Sequence, residues 1–321
     1  MAGFAVVTVV AACNAPLGLG LPTTRALESG AGSTLSAARS FEITGSYTES
    51  GSRWSMDLQI ARPDREHATV TDTKVKVEAI VIGKEAYFRG QEFLSQHMGA
   101  DQLSRNLVKA AGNAWWKGAA RDAPSLPDLT DGRLFSSTFL GPVVTQRTDH
   151  VSVDGVAAVD LAGPRAEVFI AADPPYHLLR VHMRAGVAID GLSQADLKFE
   201  NFDRDFGIAA PSDTIDFSNL STLPPIYTVV SVDTSGCTSP CVVSAVVKNL
   251  GGRQGASAPS TITFTMTTTG STYVIGRCQA QVVPDVGYNA TTTVSCTIGS
   301  LNGQPGSAAL VTAAADNPGR A

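Results

Sequence analysis

From Arg39 to about Asn219 apolar and polar residues alternate with a period of two. That period marks half-buried strands, because successive side chains on a strand point to opposite faces. In "RWSMDLQIAR" the residues Trp54, Met56, Leu58 and Ile60 share one face, and Ser55, Asp57 and Gln59 share the other. "KVKVEAIVIG" repeats the pattern with Val75, Val77, Ala79 and Val81, and "AEVFIAA", "YHLLRVHMRAGV" and "ADLKFENF" continue it. Turn residues at Asp154-Gly155, Asp173-Pro174-Pro175 and Asp190-Gly191 separate the runs and predict antiparallel neighbours joined by hairpins.

Two segments shift to a helical period. "QEFLSQHMGADQLSRNLVKAAG" sets Leu94 with Met98 and Leu103 with Leu107 at i,i+4, which predicts one amphipathic helix or two shorter ones. Gly99 is the expected break and Asp101 the expected N-cap. "LPDLTDGRLFSSTFLG" also carries apolar residues at helical spacing around Leu134, Phe135 and Phe139. An antiparallel sheet with a few helices on one face is an α+β design. Pro224-Pro225 then marks a boundary, since proline cannot donate to a strand ladder. From Ile226 to about Asp316 charged residues almost vanish and Thr, Ser, Val and Gly take over, which predicts a small all-β, Ig-like sandwich.

The first residues follow neither period. The apolar run Phe4 to Ala12 is too short to cross a bilayer as a helix and reads as the end of a signal peptide. The basic residues that usually open such a peptide do not occur among Met1, Ala2 and Gly3. Residues 14–38, rich in Gly, Pro, Ser, Thr and Ala without a clear hydrophobic period, read as a flexible tether. The expected organisation is therefore a signal-peptide end over 1–13, a tether over 14–38, a sheet-and-helix domain over 39–222 and a sandwich over 226–316.

At 321 residues the chain is long enough for two ordinary cores. Its 24 basic and 29 acidic residues form no basic block, which argues against nucleic-acid binding. Four of the five cysteines, Cys237, Cys241, Cys278 and Cys296, fall in the last domain and, behind an export signal, are expected to form disulfides. Cys278 and Cys296 straddle "VVPDVGYN", a natural hairpin turn near Gly287, so the pairs expected are Cys278 with Cys296 across two neighbouring strands and Cys237 with Cys241 in a tight loop. A four-thiolate zinc site fits less well, because only one short pair occurs and its gap is wrong. No nucleophile elbow, metalloprotease helix, Walker loop or dinucleotide fingerprint is present, and the five histidines are scattered. The expectation is a protein that is not an enzyme and uses no cofactor or metal.

Cys13 has no local partner, and Val10-Ala11-Ala12-Cys13 resembles the lipobox of bacterial lipoproteins, in which the cysteine sulfur receives a diacylglyceryl group. The order "SFEITGSYTESGSRWSMDLQI", "VEAIVIGKEAYFRGQEFL", "NAWWKG", "AEVFIAADPPYHLLRVHM" and "DLKFENFDRDFGIAAPSDTIDFSNL" resembles the LppX/LprG-type lipoproteins of actinobacteria. That resemblance implies a fold similar to LolA and LolB: a curved antiparallel half-barrel with plugging helices and an apolar cavity for acyl chains. It implies a ligand-binding set drawn from Trp54, Met56, Leu58, Ile60, Val75, Val77 and Val81 on the sheet, with Leu94, Met98, Leu103, Leu107 and Phe135 on the lid. The expected protein is exported, anchored to the outer face of the membrane through acylated Cys13, and binds a lipid or lipid-like molecule, with a protein or cell-wall partner for the sandwich. The alternative is a surface display or interaction module with a filled core and no ligand.

Overall fold

The structure, a computed structural model, describes residues 21–238, 240–269, 272–299 and 309–320. In chain order it forms α1 (Thr24–Ala37), β1 (Ser40–Glu49), β2 (Ser52–Ala61), β3 (Arg65–Thr71), β4 (Lys76–Ile82) and β5 (Glu85–Arg89). Next come α2 (Gln91–His97), α3 (Gln102–Ala111), β6 (Trp115–Ala119) and α4 (Pro127–Thr130). Tight helical turns at Gly132–Leu134 and Ser136–Leu140 lead into β7 (Gln146–Val153), β8 (Val156–Ala162), β9 (Ala166–Ala171), β10 (Leu178–Met183), β11 (Ala188–Ile189) and β12 (Leu192–Glu200). The rest is β13 (Thr214–Ile215), β14 (Tyr227–Asp233), β15 (Cys241–Asn249), β16 (Thr261–Thr268), β17 (Val274–Gln281), β18 (Thr291–Ile298) and β19 (Ala309–Asp316). The chain packs as two compact units, the first drawn from residues up to Pro63 and from Pro124–Phe206, the second from Asp64–Ala123 and Gly207–Ala321. The stretch 39–222 therefore contributes to both.

The first unit holds antiparallel strands in the order β2-β1-β12-β10-β9-β8-β7, with β11 on β12, a stretch of the 13-stranded sheet. Its hairpins turn at Asp154-Gly155 and Asp190-Gly191, where both residues of each pair have positive φ. That is the conformation whose twist matches the flanking strands. Register builds one apolar face: Phe41 lies beside Ile60, Ile43 between Leu58 and Phe199, and Val181 between Leu197 and Val168. The opposite face is polar, with Glu42 accepting from Gln59 at 2.9 Å and from Asn201.

Residues 24–37 are not a tether but helix α1, and this corrects the expectation over that part of 14–38; residues 14–20 lie outside the described ones. Thr23 caps the helix by accepting from the Ala26 amide at 3.1 Å. Leu27, Ala31 and Leu35, four residues apart, are wholly buried. The glycines that suggested flexibility serve close packing instead: a Cβ on Gly32 would lie 2.6 Å from the Gly132 carbonyl oxygen, and one on Gly30 would collide with the Tyr176 ring. Burying the two leucines stabilises the helix by roughly 2 kcal/mol each, which outweighs the roughly 1 kcal/mol penalty of each glycine in a helix.

In the second unit the strand order is β13-β6-β5-β4-β3, in which β13 runs parallel to β6. Ala79, Phe88 and Trp116 stand in one cross-strand row. They share a core with Leu94 of α2 and with Leu107, Ala110 and Ala111 of α3. The two helices break at Met98–Asp101, and Asp101 caps α3 by accepting from Ser104 at 3.0 Å.

The remaining strands of this unit form two antiparallel sheets, β14-β15-β18 and β17-β16-β19, around a separate core that includes Tyr227, Val243, Val247, Ile262, Phe264 and Met266. Disulfides join Cys237 to Cys241 and Cys278 to Cys296. The expected hairpin around Gly287 does not form. Cys278 stands opposite Phe264 in one sheet and Cys296 opposite Val243 in the other, so their bond, with Cα atoms 6.0 Å apart, crosses the sandwich. The physical reason is that β17 pairs with β16 over seven positions and β18 with β15 over eight, so the two are edge strands of different sheets and their cystine joins one edge to the other.

Candidate functional site

The apolar face of the first unit and its helical cover form the candidate site. α1 crosses this sheet from the β7 side, where Arg147 donates to Thr24 Oγ1 at 3.3 Å, towards the end of β2. There a single side chain fastens it. Arg62 donates through Nη1 to the carbonyls of Leu35 at 2.7 Å, Ser36 at 2.9 Å and Ala38 at 3.0 Å, and through Nη2 to Thr130 of α4 at 2.7 Å. The last turn of a helix leaves carbonyls without partners inside the helix, and Arg62 supplies them here. Its guanidinium also lies over the Phe41 ring at 5.3 Å. Burial pulls its pKa down while nearby Asp131 pushes it up, and Asp131, bonded by Arg133, is itself held at about 2. The clasp is therefore charged at any ordinary pH.

Beneath the cover Phe41 stacks against Phe199 and Phe202 at 6.4 and 5.9 Å, and Phe139 meets Phe199 edge-on at 6.4 Å. Met56, Leu58, Ile60 and Phe135 are all buried in this unit. Trp54 is half-buried opposite Tyr47, whose hydroxyl burial and Glu49 together push up to about 12.

The other expected ligand residues belong to the second unit. Leu94 and Leu107 are buried in the helix-on-sheet core, and Met98 and Val81 pack partly against it. Val75 is buried ahead of β4, and Val77 is half-buried. Leu103 is 43% exposed, which reverses its expected facing. The inward stripe of α3 begins at Leu107 and runs through Ala110 and Ala111, leaving the first turn in solvent. Cys13, with the signal-peptide and lipobox readings, lies outside the described residues.

Sequence reasoning missed Leu27, Ala31, Leu35 and Arg62. The signal was present as a capping threonine followed by Leu, Ala and Leu at four-residue steps, but alanine and glycine made that stripe faint. Among the described residues, no three His, Cys, Asp or Glu side chains gather that could hold a metal.

No protein family matches the chain, and no curated protein does. Among solved structures it is similar to MucB, solved in complex with MucA(peri), at 13% identity over 76% of this chain and 87% of that one, with a TM-score of 0.27.

Proposed function

We propose that the protein is an exported, non-catalytic binding protein of the cell envelope, lipid-anchored through Cys13, that takes an apolar molecule against the aromatic face beneath α1. In this reading the large sheet and its helices are an LppX/LprG-like half-barrel, and the Ig-like sandwich serves display or contact. Export is supported by the two cystines, which persist in oxidising compartments. The observation that carries the binding role is the clasp: an apolar sheet face is closed by one helix whose C-terminal end is held by the single guanidinium of Arg62. A cover held by a few side-chain bonds, from Arg147, Ser136 and Arg62, rather than by a strand ladder can move without unfolding the sheet. Native mass spectrometry of the full chain purified from its own host tests this. Lipid of defined mass co-purifying with the protein supports it, and a bare protein that also excludes apolar dyes overturns it. A second reading, an interaction module with a filled core, is favoured by the complete burial of Leu27, Leu35, Leu129 and Phe139 in the closed arrangement.

A further inference from the structure

The sandwich carries a groove of about 560 Å³ between the loop Arg253–Pro259 and the segment Val282–Asp285. This falls within the roughly 300–1,000 Å³ of small-ligand sites. We propose that it binds the free carboxyl end of a short peptide with small aliphatic side chains. This inference does not rest on the lipid-binding reading.

The walls set the side-chain class. Ala256, Ala258 and Pro259 line one side and Val282, Val283 and Pro284 the other. The lining includes no aromatic ring, so a sugar or a base finds no flat face to stack on. Val283 is 66% exposed at this groove, an apolar side chain left in solvent where methyl-sized partners could cover it.

The polar groups set the end of the peptide. Arg253 Nε and Nη2 each donate to the Asp285 backbone carbonyl at 3.4 Å. The guanidinium is thus turned towards backbone rather than towards the Asp285 carboxylate. It has five N–H donors, and a planar fork suits a carboxylate bidentately. Asp285 Oδ1 accepts from the Tyr227 hydroxyl at 3.1 Å, and a carboxylate has further lone pairs to accept a peptide N–H. An anion site beside an N–H acceptor is the pattern that a peptide terminus presents in reverse.

The groove is preformed. The buried Asn249 amide donates to Gly252 and to Val286 at 2.7 Å each, and its oxygen accepts from Ile226 and Gly251 at 2.9 Å each. One side chain therefore ties the approaches of both walls together. The Tyr227 hydroxyl also accepts from the Val286 amide at 3.0 Å, and the Ser257 amide donates to the Gly319 carbonyl at 2.9 Å. Walls fixed in advance lower the ordering cost of binding.

The test is amide NMR of the full chain titrated with acetyl-trialanine as the free acid and as the C-terminal amide. The free acid should shift the signals of Arg253–Pro259 and Val282–Val286 with millimolar affinity, and the amide should bind about tenfold more weakly. Arg253→Gln should bind both probes equally weakly, and Arg253→Lys should keep part of the preference, with unchanged thermal melting in each. Equal binding of the two probes, shifts confined to other surfaces, stronger shifts with a neutral oligosaccharide, or a preference that survives Arg253→Gln would each overturn the proposal.

Discussion

Replacing Arg62 by Met keeps the alkyl stem beside Phe41 but removes four donor contacts, three of them to the last turn of α1 and its cap. A hydrogen bond from a charged donor contributes about 1.5–3 kcal/mol where it is buried. Arg62 is only half-buried, so water can replace part of each bond, and roughly 2–3 kcal/mol in total is a fair magnitude. At about 1.4 kcal/mol per factor of ten, amide exchange through local opening of α1 should quicken roughly 30- to 150-fold. Hydrogen-exchange mass spectrometry of peptides covering residues 24–38 measures this directly. Arg62→Lys, which keeps the charge but loses the fork, should fall between wild type and Met. The reasoning fails if exchange in α1 does not change, or if β1, β12 and β10 accelerate by the same factor, since that would make Arg62 a general stability residue rather than a fastening for one helix.

Further outcomes follow from the second unit. Cys278→Ser with Cys296→Ser opens a bond spanning 18 positions and should cost about 3 kcal/mol in chemical denaturation, whereas serines at both Cys237 and Cys241, only 4 positions apart, should cost about 2 kcal/mol. Leu103→Lys should leave thermal stability within about 0.5 kcal/mol, while Leu107→Ala should lose about 2–3 kcal/mol; similar losses for both would contradict the facing of α3. Burial pushes the Tyr227 hydroxyl up to about 12 from 10.0. The folded state keeps a proton there that the unfolded chain releases, so this stabilisation is complete below pH 10 and lost as the pH rises to 12. Alkaline denaturation should show that window in wild type, and Tyr227→Phe should shrink it to the part that Tyr47, also raised to about 12, contributes.

The sequence made the strands legible because their burial is one-sided and alternates along the chain. The face of Met56, Leu58 and Ile60 could be read directly, as could the break and cap at Gly99 and Asp101. Helix α1 escaped because its contacts depend on small side chains: Gly30, Ala31 and Gly32 have a composition shared by linkers, and only Tyr176 and Gly132, a hundred or more residues away, reveal why the two glycines must be small. The inter-sheet cystine escaped for a related reason. Spacing can suggest that two cysteines meet, but not which sheet each strand joins. Arg62 could not be found from sequence at all, since its partners are backbone carbonyls, which carry no residue signature.

Because α1 is the earliest helix among the described residues and begins 11 positions after Cys13, an anchor at Cys13 would tether it within roughly 40 Å of the bilayer surface. Tension along that short leash would reach the capped start of the helix before any strand of the sheet. The near end is tied through Thr24 and Glu28 and the far end by Arg62, so the load would fall on the near ties first and then lengthwise across α1. Drawing the body of the protein away from the membrane would thus peel the cover, and slack would let it settle back.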